Sequence, residues 1–541
     1  MFQTACRRSI GFVTAALLFA APAHSSPGQL GQSGQAPAAS KDGPVSRISI
    51  DDAVRLALEQ NLSLQVQRLD PQIQDLNIDL VRTAWTPIIS GTVTNTSSTS
   101  PVSSFFAGAT NALVNDRFGA TVQTDQLLPW GADYTVTWNN SRAKSNSVYD
   151  SPNPALGSVL GGSYTQPLLR NFKIDSTRQQ LLITKKNREM TDVQLRQTVI
   201  TTIRQVKYAY WNLAYAVENL KVQQQSLDLA RESLKNNKSR VGIGTMAPID
   251  IVEAEAEVAR NEEAVIIAEA QITRAEDALR QVIFDPKNPD FWKTTFELTD
   301  PPVFRVQDID LDAAVKRALD NRTDLVNMRK SLEATDVNIR YFKNQTLPDL
   351  NVRAGYGLTG QGGTNYTFSD TFPPVPISIV DNGWGSVYSQ MLSNDFHNWS
   401  LAVTVGYPLG RSGAEAALAR ARVSYSQQQL ELRSQELTVA TQVREVVRTL
   451  NTNRKRVDAT RASRDLAQRR LDAEQKKFQA GMSTNFFVVQ AQRDLASAKN
   501  AELQAILDYS RSLVDFETVQ EAPVVGGGIS LAIAARVGQV Q

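Results

Sequence analysis

The chain holds two histidines, His24 and His397, and one cysteine, Cys6. Neither a Ser-His-Asp relay nor a cluster of imidazole and thiolate ligands can be assembled from so few groups. Cys6 precedes an apolar run at 10–21, so a chain cleaved behind that run carries no thiol. Disulfides, cysteine catalysis and a lipidated terminal cysteine are lost with it. No enzymatic activity and no resident metal or cofactor are expected. The 57 basic and 55 acidic residues leave a net charge of +2, which gives no electrostatic footing for nucleic acid. What remains is the chemistry of turns, charged faces and apolar faces, and it depends on the elements that carry them.

Residues 1–25 have the three parts of a secretory signal. Arg7 and Arg8 supply charge, the run at 10–21 is apolar, and Ala21-Pro22-Ala23 or Ala23-His24-Ser25 offers small residues for cleavage. As a membrane anchor the run is too short, since roughly 18 to 20 residues are needed to span a bilayer. Residues 26–46, rich in Ser, Gly, Pro and Gln, predict a flexible amino terminus, and 521–541 a flexible carboxyl-terminal tail.

The rest is duplicated, as 47–300 and 301–520. ISIDDAVRLAL at 48–58 recurs as IDLDAAVKRAL at 309–319, and Pro87 recurs as Pro348, both pairs 261 positions apart. Tyr164, Pro167 and Leu168 are answered by Tyr407, Pro408 and Leu409; Arg240 and Gly244 are answered by Lys477 and Gly481. Each half predicts a short helix (51–84, 312–345), a β segment, a long helix (173–241, 413–479), a glycine turn and a shorter helix (248–283, 484–520). Asp51 and Asp312 stand as caps or first-turn acids. No proline interrupts either long helix, so each can extend about 100 Å. Val199, Ile203, Val206, Tyr210, Leu213, Val217 and Leu220, and in the second half Val439, Val443, Val446 and Leu450, alternate spacings of four and three, which packs helix on helix.

After Pro348, Leu350, Val352, Ala354, Tyr356 and Leu358 alternate with Asn351, Arg353, Gly355 and Gly357. Before Pro408, Trp399, Leu401, Val403, Val405 and Tyr407 alternate with Ser400, Ala402, Thr404 and Gly406. Apolar faces opposite small or polar ones suit a lipid-facing barrel strand. Nothing past 25 predicts a membrane-spanning helix, so a membrane position requires a closed barrel. Residues 360–397 are expected to be an extracellular loop. In the first half the matching strands fall at 88–97 and 158–166, and a hairpin about Pro129-Trp130-Gly131 lies between them. A soluble flap and an addition to the barrel are both open for it. A secreted structural coiled coil or adhesin also accounts for the signal and the helices, but not for the strands.

With these landmarks in duplicated order, the chain resembles the TolC-like outer-membrane efflux family over essentially all of the mature sequence. The resemblance implies a mainly α protein with a transmembrane β-barrel part. Three subunits would each give four strands to one twelve-stranded barrel in outer-membrane lipid, continued by an α-helical tunnel in the periplasm. It further implies docking to a periplasmic adaptor and an inner-membrane pump, in an exit duct for drugs, small molecules or secreted proteins. The tips at Gly244 and Gly481 would form the periplasmic entrance or adaptor contact. Some members of the family place acidic rings six and nine residues past the second glycine, where this chain has Phe487 and Gln490. The first repeat has Asp250 and Glu253 there, either as an acidic ring or, for Asp250, as a first-turn acid stabilising the helix after Pro248.

Overall fold

A computed structural model describes residues 45–102, 112–283, 292–300, 304, 309–370, 375–410 and 412–521. The expected signal at 1–25, nearly all of 26–46 and the tail beyond Glu521 lie outside these residues. The first repeat runs β1 (Val45–Ile48), α1 (Ile50–Gln60), α2 (Leu62–Gln67), α3 (Asp70–Arg82), β2 (Ile88–Pro101), β3 (Ala112–Leu127), β4 (Asp133–Ser145), β5 (Ala155–Pro167), α4 (Ser176–Gly242), α5 (Ile249–Ile283) and β6 (Thr295–Leu298). The second runs α6 (Leu311–Asn321), α7 (Thr323–Gln345), β7 (Asp349–Phe368), β8 (Pro376–Asn382), α8 (Trp384–Leu392), β9 (His397–Gly406), α9 (Gly413–Gln479) and α10 (Asn485–Gln520).

The proline-free stretches become α4 and α9, each of 67 residues. Asp175 starts α4 by accepting from the Arg178 amide, and Ser412 with Glu415 forms a reciprocal capping box at α9. Each expected short helix is broken, the first at Asn61 and again at Arg68-Leu69, the second at Arg322. Asn61 leaves the helical region, accepts from the Leu64 amide to start α2, and donates through Nδ2 to the Val282 carbonyl 2.9 Å away. Arg322 breaks at the same place, and Glu521 caps the Thr323 amide at 2.7 Å. The acids Asp51 and Asp312 are first-turn residues; the caps are Ser49 and Asp310.

Each repeat buries its own core. Val206, Tyr210 and Leu213 of α4 pack with Ile48, Val54, Leu279, Ile283 and Phe296; Val439, Val443 and Leu450 of α9 pack with Ala314, Leu325, Tyr509 and Phe516. In α9 the stripe turns inward at Val447, leaving Val446 partly buried. The Tyr210 hydroxyl lies 3.3 Å from the Ile48 carbonyl and accepts from the Asp300 amide at 3.1 Å, and burial pushes its pKa up to about 12. Among the described residues no helix is long and apolar enough to cross a membrane.

β1 and β6 pair in parallel as a small separate sheet, and the other strands form one antiparallel sheet in the order β2-β3-β4-β5-β7, with β9 and β8 both paired to β7. Four strands were expected from the resemblance; among the described residues this sheet has seven, because the open hairpin at 112–145 adds β3 and β4 between β2 and β5, and β8 adds one more on the outer part of β7. The expected loop at 360–397 is also partly structured: β7 continues to Phe368, its outer part pairs with β8, and α8 follows. Register aligns Tyr356 with Trp399, Ala354 with Leu401 and Val352 with Val403, so the apolar residues of β7 and β9 share one face. That face is open along β9, where Trp399 is 73% exposed and Val405 68%, and is covered by Val387 of α8 at Gly360 and Gly362 of β7. The edge strands β2 and β9 are exposed along their whole length.

Candidate channel entrance

Both long helices end in the same way. Gly244 and Gly481 have φ of 76° and 74°, and a Cβ at either would meet no atom within 4 Å. The glycines therefore answer a backbone need for the left-handed region and no steric one. The chain closes over each end with a six-residue hydrogen bond, from the Thr245 amide to the Arg240 carbonyl at 2.9 Å and from the Met482 amide to the Lys477 carbonyl at 2.8 Å. In the second repeat Ser483 adds a hydroxyl bond of 2.9 Å to Glu474.

Asp250 lies in the first turn of α5, half-buried, with its carbonyl 3.4 Å from Asn237 Nδ2; Glu253 is exposed one turn on. Phe487 is exposed in the first turn of α10, edge-to-face with Phe486, and Gln490 donates to Asp494 at 2.9 Å. Among the described residues no hydrogen bond or ion pair joins Asp250 or Glu253 to Phe487 or Gln490. The two tips meet through other groups. The Arg240 guanidinium stands 4.4 Å from the Phe478 ring centre, linking the ends of α4 and α9.

Arg493 of α10 places Nη2 and Nε on one oxygen of Glu257 in α5, at 2.6 and 3.0 Å, and Arg260 reaches the same oxygen at 2.9 Å. The Glu257 side chain is 9% exposed. Its hydrogen bond, with the charges of Glu257 and Glu253, holds the Arg493 guanidinium above its ordinary pKa. Sequence reasoning missed this pair. The available signal was a carboxylate between Ala254 and Asn261, at spacings of three and four on the inward face of α5. Among the described residues no group of three or more His, Cys, Asp or Glu is placed to hold a metal ion.

The sequence profile of the outer membrane efflux protein family matches residues 135–283 and 314–519. No curated protein matches the chain in sequence. Solved structures match in fold. The CmeC outer membrane channel of Campylobacter jejuni has a TM-score of 0.60 at 14% identity over 90% of this chain and 88% of its own. VceC, an outer membrane protein of Vibrio cholerae, has 0.59 at 14% over 87% and 96%. The open state of the MtrE outer membrane channel of Neisseria gonorrhoeae has 0.58 at 16% over 87% and 88%. Duplicated cores, paired glycine tips and a profile match over most of the chain coincide on the same elements, and the chain belongs to the outer membrane efflux protein family.

Proposed function

We propose that three copies of this chain form a passive exit duct through the outer membrane. The sheets sit in lipid, and the helices form a tunnel in the periplasm that meets a periplasmic adaptor and an inner-membrane pump. Drugs, other small molecules or secreted proteins are the cargo classes such a duct serves. The observation that carries this reading is a sheet with one exposed apolar face and two unpaired long edges, joined directly to 67-residue helices. In lipid an open edge leaves backbone groups without partners, so one chain cannot stand there alone. The test is extraction and assembly: the protein should leave the outer membrane only with detergent, as a trimer, and conduct in planar bilayers. A soluble periplasmic monomer would end the reading.

At the entrance, Asp250 and Glu253 lie three residues apart on one face of α5, and threefold symmetry would repeat that face around one axis. Six carboxylates at a narrow opening would favour cations. Asp250→Asn with Glu253→Gln should then lower cation selectivity and leave trimer stability nearly unchanged, while Phe487→Ala should raise conductance. If Asp250 serves only its helix start, the double change costs roughly 0.3 to 1 kcal/mol and selectivity stays at the wild-type ratio.

A further inference from the structure

We propose that the β3–β4 hairpin is part of the membrane wall, so that three copies close an eighteen-stranded barrel and not a twelve-stranded one. This rests on the trimeric channel reading above. Between its short and long helices the second repeat has one full-length strand pair, β7 and β9, with β8 joined only to the outer part of β7. The first repeat has four strands in the same place. The continuous path is β2-β3-β4-β5-β7-β9, six strands per chain.

Register decides whether the added strands suit lipid. Ile89, Thr124, Val136, Gly162, Tyr356 and Trp399 align across all six strands, as do Gly91, Val122, Trp138, Leu160, Leu358 and His397. The rows between them are small and polar: Ser90, Gln123, Thr137, Gly161, Gly357 and Asn398 form one. The apolar face therefore crosses the hairpin in phase with the strands of both repeats. A slip of one residue would have inverted it, and a flap in water has no need of that phase. Val122 and Val136 are 47% and 41% exposed on this face.

The hairpin is also seated on the wall at its helix-proximal end. Gly131 has φ of 92°, and a Cβ there would lie 2.6 Å from Arg178 Nη2 and 3.0 Å from the Asn171 carbonyl, at the junction that starts α4. Ala132 is fully buried, and Gln126 donates to the Trp85 carbonyl at 2.7 Å. Finally, β2 runs away from the helices and β9 toward them, so the β2 edge of one copy meets the β9 edge of the next antiparallel, the pairing of the rest of the sheet. At fixed tilt, barrel diameter grows about in proportion to strand number, so six strands per chain give a lumen about 1.5 times as wide as four, in the size class of water-filled porins. Its polar lining suits hydrophilic cargo bulkier than a twelve-stranded duct passes.

The test uses single-cysteine variants of the full chain with Cys6→Ser, reconstituted in liposomes of brominated lipid and labelled with a bimane. Val122→Cys and Val136→Cys should lose most of their emission, as Val403→Cys does. Thr121→Cys and Thr137→Cys should keep theirs, react with a charged water-soluble thiol reagent and lower conductance on modification. Quenching at Val403 with none at Val122 and Val136 would overturn the eighteen-stranded wall and leave the channel standing. Absence of quenching at all three positions would overturn both. If one hairpin variant fails to assemble, the other strand of the hairpin decides.

Discussion

Arg493→Met should loosen the contact between α5 and α10 by an amount the geometry bounds. The change removes a guanidinium that places two nitrogens on one oxygen of Glu257, a carboxylate too buried to rehydrate in place. Breaking a fully buried pair costs about 3–5 kcal/mol, whereas an exposed pair is worth about 0–1 kcal/mol. Here Glu257 is buried, Arg493 is 41% exposed, and Arg260 remains as a second partner. The expected cost is therefore about 1–2 kcal/mol. Glu257→Gln should cost less, below about 1 kcal/mol, because the orphaned Arg493 can turn into water. Glu257→Leu combined with Arg493→Met should recover part of the loss, since no charge is left buried. Hydrogen exchange in the detergent-solubilised protein reads this locally: Arg493→Met should speed exchange of amides near 254–261 and 489–497 about 5- to 30-fold, with the strands unaffected. Equal effects of Arg493→Met and Glu257→Gln, or a double variant as fast as the two single changes combined, would refute the latch.

Lys186 and Lys330 of the facing helices α4 and α7 reach Glu333 and Glu189, at 2.8 Å each. Hydrogen bonds from Lys330 and Lys186, respectively, hold the Glu189 and Glu333 carboxyls below their ordinary pKa. Their contribution is complete above the unfolded glutamate value of about 4.3 and is lost as pH falls through the lower folded values. At 42% and 46% exposure it should stay under about 1 kcal/mol, and Glu189→Gln with Glu333→Gln should flatten the acid side of a melting-temperature profile; an unaltered profile would contradict the network. Gly244→Ala and Gly481→Ala should each cost about 1–2 kcal/mol for the left-handed backbone alone, whereas Gly131→Ala should cost more because its Cβ would also meet Arg178 and Asn171; denaturant midpoints showing Gly131→Ala the mildest of the three would reverse this. Val403→Arg should cost about 2–4 kcal/mol near the bilayer centre and Thr404→Arg less, read as trimer yield; equal tolerance would contradict the register.

The helical part was legible because its signals are local. Absence of proline, stripes at spacings of four and three, and a glycine at each end locate α4, α5, α9 and α10 to within a few residues. The breaks at Asn61 and Arg322 were missed because neither residue stops a helix by itself. Asn61 breaks here by capping Leu64 and reaching Val282, more than two hundred residues away. The alternation in β7 and β9 was likewise readable, but whether the hairpin at 112–145 belonged to the same sheet was not. A flap and a wall strand share one alternation, and only pairing to β2 on one side and β5 on the other separates them. The Glu257–Arg493 pair spans 236 positions, beyond any spacing rule.

The two repeats have diverged unequally, and the difference falls on one side of a sharp boundary. Their long helices have kept the same length to the residue, as rods that pack side by side must, because a length change would shift every buried layer out of step. The sheet is under no such constraint: adding a whole hairpin keeps each strand antiparallel to its neighbours and only widens the sheet. The two parts meet where strand becomes helix. That junction is unusually cross-tied. Asn171 takes a positive φ of 65°, its amide donates to the buried Asn344 at 2.7 Å, and its side chain accepts from Gln345 at 2.6 Å. Arg170 donates to Gln345 as well, at 3.0 Å. These bonds join the segment after β5 in one repeat to the end of α7 in the other, so the place where strand gives way to helix is fixed by contacts between repeats.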